Sequence, residues 1–136
     1  MKINEAILDT GPLVAVLSVR DTFHAWATRL FSDLPLPCMT CEAVLSETFF
    51  RLRRDPKAMM ALCDMIDGAA FRVMPIGAMS AVGRCVTKYR VDFADACLVM
   101  LSEQFPNATV VTTDGRDFSV LRRFGREPIP FLAPPS

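Results

Sequence analysis

The sequence predicts an α/β fold in which helices cover both faces of a central parallel sheet. Short apolar segments recur along the chain, and segments with helical periodicity separate them, as the connections of a parallel sheet require. The chain has 136 residues, of which 51% are hydrophobic, and this is enough for one hydrophobic core and too little for two. We therefore expect a single domain over residues 1–136.

The predicted strands are short apolar runs bounded by residues typical of turns. They comprise residues 5–9, 37–39, 71–76 and 108–112. Gly11-Pro12 is expected to end the first strand, and the proline-rich tail holds at most a short edge strand. Ligands of parallel sheets bind beyond the carboxyl ends of the strands, and Asp9 and Asp114 each fall at or just after such an end.

The predicted helices occupy the segments between these strands. They comprise residues 12–18, 22–33, 41–53, 56–67, 77–89 and 92–104, with a short helix between residues 114 and 123. The second helix has the clearest period, because its apolar residues fall on one face: Phe23, Trp26, Ala27 and Leu30. Thr40 is expected to cap the third helix, and Pro56 takes the favoured first position of the fourth.

Composition limits the functions open to this chain. Fifteen basic residues balance fifteen acidic ones, so overall charge does not attract nucleic acid, although a local patch still can. No apolar run is long enough to span a bilayer, and the N-terminal segment lacks a signal-peptide core. The five cysteines are scattered among apolar neighbours, which favours reduced thiols in a cytoplasmic protein with no membrane partner.

Four acidic residues stand in or at the end of apolar segments: Asp9, Glu47, Asp95 and Asp114. A carboxylate near a hydrophobic core is costly unless another group compensates its charge. Four such acids in separate segments suggest one shared compensating group, and a divalent cation fits that role.

Two of these acids differ in how well an ordinary structural role accounts for them. Asp9 alone is explained by a turn before Gly11-Pro12. Glu47 is explained less well, because its helical neighbours Val44 and Phe50 are apolar, although an ion pair with Arg51 stays open.

The remaining acids form two pairs with a spacing of three residues. Asp92 suits a helix N-cap, with Asp95 in the first turn, where the helix dipole favours a negative charge. Either Asp114 or Asp117 suits a turn or a cap. Capping and metal binding are compatible, so Asp92 can cap while Asp95 binds a cation.

Cys38-x-x-Cys41 raises the alternative of a zinc or redox site. A structural zinc needs four ligands, and the sequence offers no second cysteine pair of that kind and only one histidine, His24. Buried thiols are the better interpretation of the cysteines. His24 is expected to pack in the core or at an interface, with no catalytic role.

Four segments taken together resemble the PIN-domain nucleases. They are LDTGPLVA at 8–15, LSETFF at 45–50, VDFADACLVMLSE at 91–103 and VVTTDGRDF at 110–118. The resemblance extends nearly end to end. It is greatest to small bacterial members, which include the VapC-like toxins of type II toxin–antitoxin modules.

This resemblance implies a three-layer α/β/α sandwich and a metal-dependent ribonuclease. The matching acids of the family, here Asp9, Glu47, Asp95 and Asp114, surround Mg²⁺ or Mn²⁺ and drive hydrolysis of a phosphodiester by an activated water. The residues expected to support this site are Thr10, Asp92, Thr112 and Asp117. The implied partners are an RNA substrate, a small antitoxin protein and a second copy of the chain. The alternatives are a nuclease of RNA processing without an antitoxin and a non-catalytic RNA- or protein-binding scaffold.

Two arginine clusters follow predicted metal ligands and are candidates for RNA binding. The first consists of Arg51, Arg53 and Arg54, and the second of Arg116, Arg122, Arg123 and Arg126. Arginine binds phosphate through charge and paired hydrogen bonds. For any single arginine, an ordinary solvated surface position is the alternative.

Overall fold

The structure is a computed structural model that describes residues 2–135, so Met1 and Ser136 of the predicted domain lie outside it. The strands are β1 (Ala6–Leu8), β2 (Cys38–Thr40), β3 (Phe71–Val73), β4 (Thr109–Val111), β5 (Arg122–Arg123), β6 (Glu127–Pro128) and β7 (Phe131–Leu132). The helices are α1 (Thr10–Leu17), α2 (His24–Asp33), α3 (Glu42–Arg51), α4 (Pro56–Asp67), α5 (Met79–Tyr89), α6 (Phe93–Gln104) and α7 (Gly115–Val120). None of these helices has both the length and the apolar character needed to cross a membrane.

The central sheet is parallel and has the strand order β3-β2-β1-β4-β7. Strand β1 lies between β2 and β4, with Ile7 opposite Met39 on one side and Val110 on the other. The proline-rich tail supplies β7 at the edge, as expected of a segment with few backbone donors. Strands β5 and β6 form a separate antiparallel pair that the sequence did not predict.

Helices cover the sheet on both faces, which confirms the predicted three-layer α/β/α sandwich. Helix α1 packs against α2, α3 and α4, whereas α5 pairs with α6. The central strands are therefore buried on both sides, and Ile7, Leu8, Val110 and Val111 are fully inaccessible to solvent. This rigid centre fixes the backbone from which the acidic side chains project.

Three local predictions were wrong at their boundaries. Thr40 does not cap α3, because it ends β2 and its hydroxyl donates to the Leu8 carbonyl at 3.0 Å; the N-cap is Cys41. Helix α1 begins at Thr10, so Gly11-Pro12 lies inside its first turn. Proline is tolerated there because backbone N–H groups of the first turn have no acceptor within the helix, so its missing N–H costs no hydrogen bond. Strand β3 ends at Val73, two residues before Pro75.

Candidate active site

The four predicted metal ligands meet at the carboxyl edge of the sheet. Asp9 follows β1 directly, Asp114 follows β4, Glu47 lies on α3 and Asp95 lies in the first turn of α6. Their charges act on one another, since Glu47 raises the pKa of Asp9, and both Asp9 and Asp114 raise the pKa of Asp95. The fold therefore brings all four acids into one electrostatic neighbourhood.

Asp9 is buried and held in one orientation by two hydrogen bonds. Its Oδ1 accepts from the Thr10 backbone N–H at 2.7 Å, and its Oδ2 accepts from the Thr112 hydroxyl at 2.7 Å. Burial raises the pKa of Asp9, and the negative charges of Glu47 and Asp92 raise it further against the effect of the two hydrogen bonds. Among the described residues, no ion pair supplies a positive charge to Asp9.

Thr112 joins two of the acids through one buried hydroxyl. The hydroxyl donates to Asp9 and accepts from the Asp114 backbone N–H at 2.9 Å, while Thr112 itself is fully buried. The end of β4 is thereby tied to the end of β1. These two contacts hold the Asp9 carboxylate and the backbone of Asp114 in a fixed relation.

Glu47 is exposed, and this differs from its expected place on an apolar surface. Its Oε2 lies 3.3 Å from the Thr10 hydroxyl, which also lies 3.4 Å from the Val44 carbonyl. Among the described residues, no ion pair joins Glu47 to Arg51. Thr10 therefore connects Asp9, through its backbone, with Glu47, through its side chain.

Asp95 carries a strongly perturbed carboxyl group. Burial raises the pKa of Asp95 to about 7, and the charges of Asp9, Asp92, Asp117 and Asp114 contribute to the same rise. No cation near Asp95 offsets these causes in the part of the chain that the structure describes. A bound divalent ion would supply the missing positive charge.

Asp92 and Asp114 are helix N-caps, as Asp9 is for α1. Asp92 caps α6 by accepting from the Asp95 N–H at 2.8 Å, as predicted, and Asp114 caps α7 by accepting from the Asp117 N–H at 3.1 Å. Burial and the neighbouring Asp114 raise the pKa of Asp117, whereas the positive charge of Arg116 opposes that rise. Capping uses one oxygen of each carboxylate and leaves the other available.

The donor chemistry of this cluster fits Mg²⁺ or Mn²⁺. Its side-chain donors are carboxylate and hydroxyl oxygens, which hard divalent cations prefer, and Mg²⁺ keeps several of its waters when it binds. Within residues 2–135, no three His, Cys, Asp or Glu side chains are arranged, as they stand, closely enough to hold an ion directly. The fit therefore rests on the oxygen donors and on the uncompensated charge of Asp9 and Asp95.

The predicted arginines fall into two structural groups. Arg51, Arg53, Arg54, Arg116 and Arg126 are exposed, whereas Arg122 is half-buried and Arg123 is buried. Arg53 stacks on the Phe50 ring at 4.1 Å, and Arg122 donates to the Ser119 and Leu121 carbonyls.

Arg123 does not fit the predicted RNA-binding role. It is buried, and its guanidinium donates to the Ser102 carbonyl and hydroxyl and to the Glu127 carboxylate. These contacts hold β5 against α6, so we exclude Arg123 from the candidate RNA surface.

The cysteines and His24 are not needed for this chemistry, although two thiols lie near the acids. Burial and the charge of Asp9 raise the pKa of Cys41, and burial and the charges of Glu103 and Asp95 raise the pKa of Cys85. All five thiols are free, and burial raises the pKa of Cys38 to about 11, so it stays protonated near neutral pH. His24 bonds through Nδ1 to the Ala15 carbonyl at 2.8 Å and thereby joins α2 to α1.

A close contact between Gly11 and Thr113 also shapes the site, and the sequence analysis missed it. A Cβ built at Gly11 would overlap the Thr113 side chain, with a separation of 2.9 Å from its Cβ atom. The start of α1 therefore approaches the segment before Asp114 more closely than any larger residue allows. The glycine two residues after Asp9 and directly before Pro12 was the available signal.

A parallel sheet with acidic side chains at its carboxyl edge places the chain among α/β proteins with an acidic site, and comparison with known proteins identifies the family. The PIN domain family matches residues 6–123. The chain therefore belongs to the PIN domain family.

Individual relatives are similar over most of their length. Ribonuclease VapC26 of Mycobacterium tuberculosis is 29% identical over 126 residues, which cover 88% of this chain and 93% of that protein. The crystal structure of VapC20 of M. tuberculosis, a sarcin-ricin loop cleaving toxin, has a TM-score of 0.66 at 21% identity and covers 78% of this chain and 87% of its own. A toxin–antitoxin complex from Klebsiella pneumoniae has a TM-score of 0.64 at 15% identity, with 86% and 92% covered. At these identities the two solved structures establish the fold alone.

Proposed function

We propose that this chain is a metal-dependent endoribonuclease and the toxin of a type II toxin–antitoxin module. The observation that carries the proposal is the group of acids at the carboxyl edge of the sheet, in which Asp9 and Asp95 have raised pKa values and no ion pair with any residue that the structure describes. Membership of the PIN domain family and the likeness to Ribonuclease VapC26 support the same activity.

The residues would divide the work as follows. Asp9 and Asp95 would hold Mg²⁺ or Mn²⁺, and Asp114 would complete the site directly or through a water. Glu47 would hold a second ion or orient the attacking water, with Thr10 beside it. Once bound, the ion lowers the pKa of a coordinated water and polarises the phosphoryl oxygen.

Thr112 would act as a positioning residue in this scheme. Its hydroxyl donates to Asp9 Oδ2 and so holds that carboxylate in one orientation. Outer hydrogen bonds of this kind orient metal ligands and raise their affinity for the ion. The backbone N–H of Asp114 on the same hydroxyl keeps the two strand ends in register.

The substrate and partners follow from charge and from the relatives. A cluster of acids repels a phosphate backbone, so RNA binding should need the ion and nearby arginines. Arg116 is one such arginine, since its positive charge acts on Asp117. A small antitoxin protein is the proposed regulatory partner, in line with the toxin–antitoxin complex among the structural neighbours. A homodimer is proposed on the resemblance to the family.

A cleavage assay with an isosteric variant tests this function. Labelled single-stranded RNA is incubated with the wild-type protein and with Asp95→Asn, each in Mg²⁺, in Mn²⁺ and in EDTA. We expect cutting by the wild-type protein in either metal, none in EDTA, and a loss of at least about 100-fold in the variant. Asp33→Asn, an exposed acid on α2, is the matched control and should cut like the wild type.

Two results would count against the proposal. Cutting that persists in EDTA or in Asp95→Asn would exclude the carboxylate–metal mechanism. A wild-type protein that cuts nothing across a broad panel of RNAs, in either metal, would exclude the general ribonuclease activity.

A further inference from the structure

A pocket lies beside the acids on the same edge of the sheet, and nothing in the proposed chemistry uses it. It has a volume of about 380 Å³, within the range of small-ligand sites. Its walls are the chain from Val73 to Ile76, the Phe93 ring and the first turn of α3, which contributes Glu42. Apart from Glu42, the lining side chains carry no charge.

The sheet order places this pocket close to the proposed cleavage site. The pocket follows the ends of β2 and β3, whereas Asp9 and Asp114 follow the ends of β1 and β4. Neighbouring strands are about 4.8 Å apart, so the two centres lie roughly 10 Å from each other along the edge. An RNA strand with its scissile phosphate at the acids can therefore place a nearby base in the pocket.

The start of α6 separates the two regions and contributes to both. Phe93 and Asp95 are two residues apart on a helix, which turns their side chains to nearly opposite sides. In the sequence, Phe93 lies between Asp92 and Asp95, and its side chain is 49% exposed. An exposed aromatic ring beside a phosphate-cleaving site is suited to stack on a nucleobase, as aromatic residues do in proteins that bind single strands.

Glu42 is the charged residue of the pocket lining, and its chemistry bears on which base the pocket would favour. Its carboxylate is exposed at the pocket and, when ionised, only accepts hydrogen bonds. Guanine presents two adjacent donors, N1–H and the N2 amino group, and both can bond to one carboxylate. The Watson–Crick edges of uracil, cytosine and adenine each offer a single donor position with acceptors beside it, which a carboxylate repels.

We propose that this pocket binds a guanine base of the RNA next to the cleavage site, with Phe93 stacking on the ring and Glu42 accepting from its Watson–Crick edge. The inference rests on the proposed function, because it assigns a base preference to the same nuclease site. It makes Phe93 and Glu42 specificity-determining residues.

Binding of short RNAs tests the assignment without cleavage. Fluorescence anisotropy is measured with labelled uridine heptamers that carry G, A, C or U at the central position, in Ca²⁺ in place of Mg²⁺. We expect the G heptamer to bind the wild-type protein at least about fivefold more tightly than the other three. Glu42→Gln should abolish this preference by weakening the binding of the G heptamer, whereas the all-uridine heptamer, whose acceptors the carboxylate repels, should bind this variant no more weakly than the wild type.

The aromatic contact is tested by truncation. Phe93→Ala should weaken binding of the heptamers about tenfold, since stacking contributes to binding of any base. Phe124→Ala is the matched control, because Phe124 is 54% exposed but lies after β5, where its N–H bonds to Glu103 near the far end of α6. That control should bind like the wild type.

The outcomes separate this inference from the proposed function. A wild-type protein that binds the four heptamers equally or not at all, a Phe93→Ala variant that binds normally, or a Glu42→Gln variant that keeps the G preference would each overturn the inference. If the wild type binds the four heptamers equally or not at all, or if Glu42→Gln keeps the G preference, metal-dependent cutting of long RNA would still leave the nuclease proposal intact. If the pocket instead receives a peptide side chain, the Phe93→Ala variant would bind the heptamers with the affinity of the wild type.

Discussion

Asp9 and Asp95 each oppose folding and suit metal binding for the same physical reason. Burial raises the pKa of both residues, and neighbouring carboxylates raise it further. An acid whose pKa is higher in the folded protein binds more protons there than in the unfolded chain. The free energy of unfolding therefore falls as pH rises between the ordinary pKa of aspartate, near 4, and the folded pKa of Asp95, about 7.

The metal-free protein should accordingly be more stable at pH 5.5 than at pH 8. At pH 8, Asp95→Asn should raise the free energy of unfolding of the metal-free protein by on the order of 1–3 kcal/mol, because it removes the uncompensated charge. Thermal unfolding in EDTA at the two pH values measures both effects. A variant less stable than the wild type at pH 8 would show that Asp95 is compensated in some other way.

Thr112 can be tested as a positioning residue by an isosteric change. Thr112→Val removes the donor to Asp9 and the acceptor for the Asp114 N–H while it keeps the shape of the side chain. We expect metal affinity to fall about 10- to 100-fold, as measured by titration calorimetry with Mn²⁺.

Thr40→Val supplies the control for that experiment. Thr40 is also a buried strand-end threonine, but its hydroxyl donates to the Leu8 carbonyl and, within residues 2–135, forms no hydrogen bond with a carboxylate. Its variant should lose stability and retain metal affinity. Equal metal affinities in the two variants would remove the positioning role of Thr112.

At the scale of the elements, the approach of α1 to the end of β4 depends on Gly11. Gly11→Ala should lower the free energy of unfolding by about 1–3 kcal/mol and reduce cleavage, because the added methyl group collides with Thr113 and separates the segments carrying Asp9 and Asp114. Chemical denaturation and the cleavage assay measure the two effects.

Gly83→Ala is the matched substitution in another helix. Gly83 lies in α5, and a Cβ there meets nothing within 4 Å. Alanine should therefore stabilise the protein by about 0.5–1 kcal/mol through its helix propensity. If Gly11→Ala behaved in the same way, the close contact would not be a constraint on the site.

The elements whose signals are local in sequence were predictable. The start of α6 follows from capping by Asp92, and the start of α4 from Asp55 and Pro56, because a cap bonds to an N–H only a few residues away. The parallel sheet followed from strands and helices that alternate along the chain. The three-layer arrangement was predicted from the resemblance of four sequence segments to the PIN-domain nucleases.

Features that depend on distant partners were not predictable. Thr40 bonds to Leu8 across 32 residues, and Arg123 bonds to Ser102 across 21, so neither contact leaves a local pattern. The sequence therefore suggested a cap for Thr40 and a surface position for Arg123. The exposure of Glu47 was missed for a related reason, since its helical neighbours say little about which face of α3 meets solvent.

At the scale of the whole molecule, positive and negative charges balance, so attraction to RNA must come from local groups. Arg116→Ala should weaken RNA binding about fivefold and lower the slope of log affinity against log salt by about 1, because it removes one phosphate contact beside the acids. Arg29→Ala, an exposed arginine on α2, is the control and should change neither quantity. Identical behaviour of the two variants would place the RNA path away from α7.

The central claim is that Asp9 and Asp95 hold a divalent cation together. Anomalous diffraction at the manganese edge, from crystals soaked in Mn²⁺, tests it most directly. We expect an anomalous peak between the two carboxylates in the wild-type protein and no peak there in Asp95→Asn. A peak at another place, no peak in the wild type, or an unchanged peak in the variant would contradict the assignment.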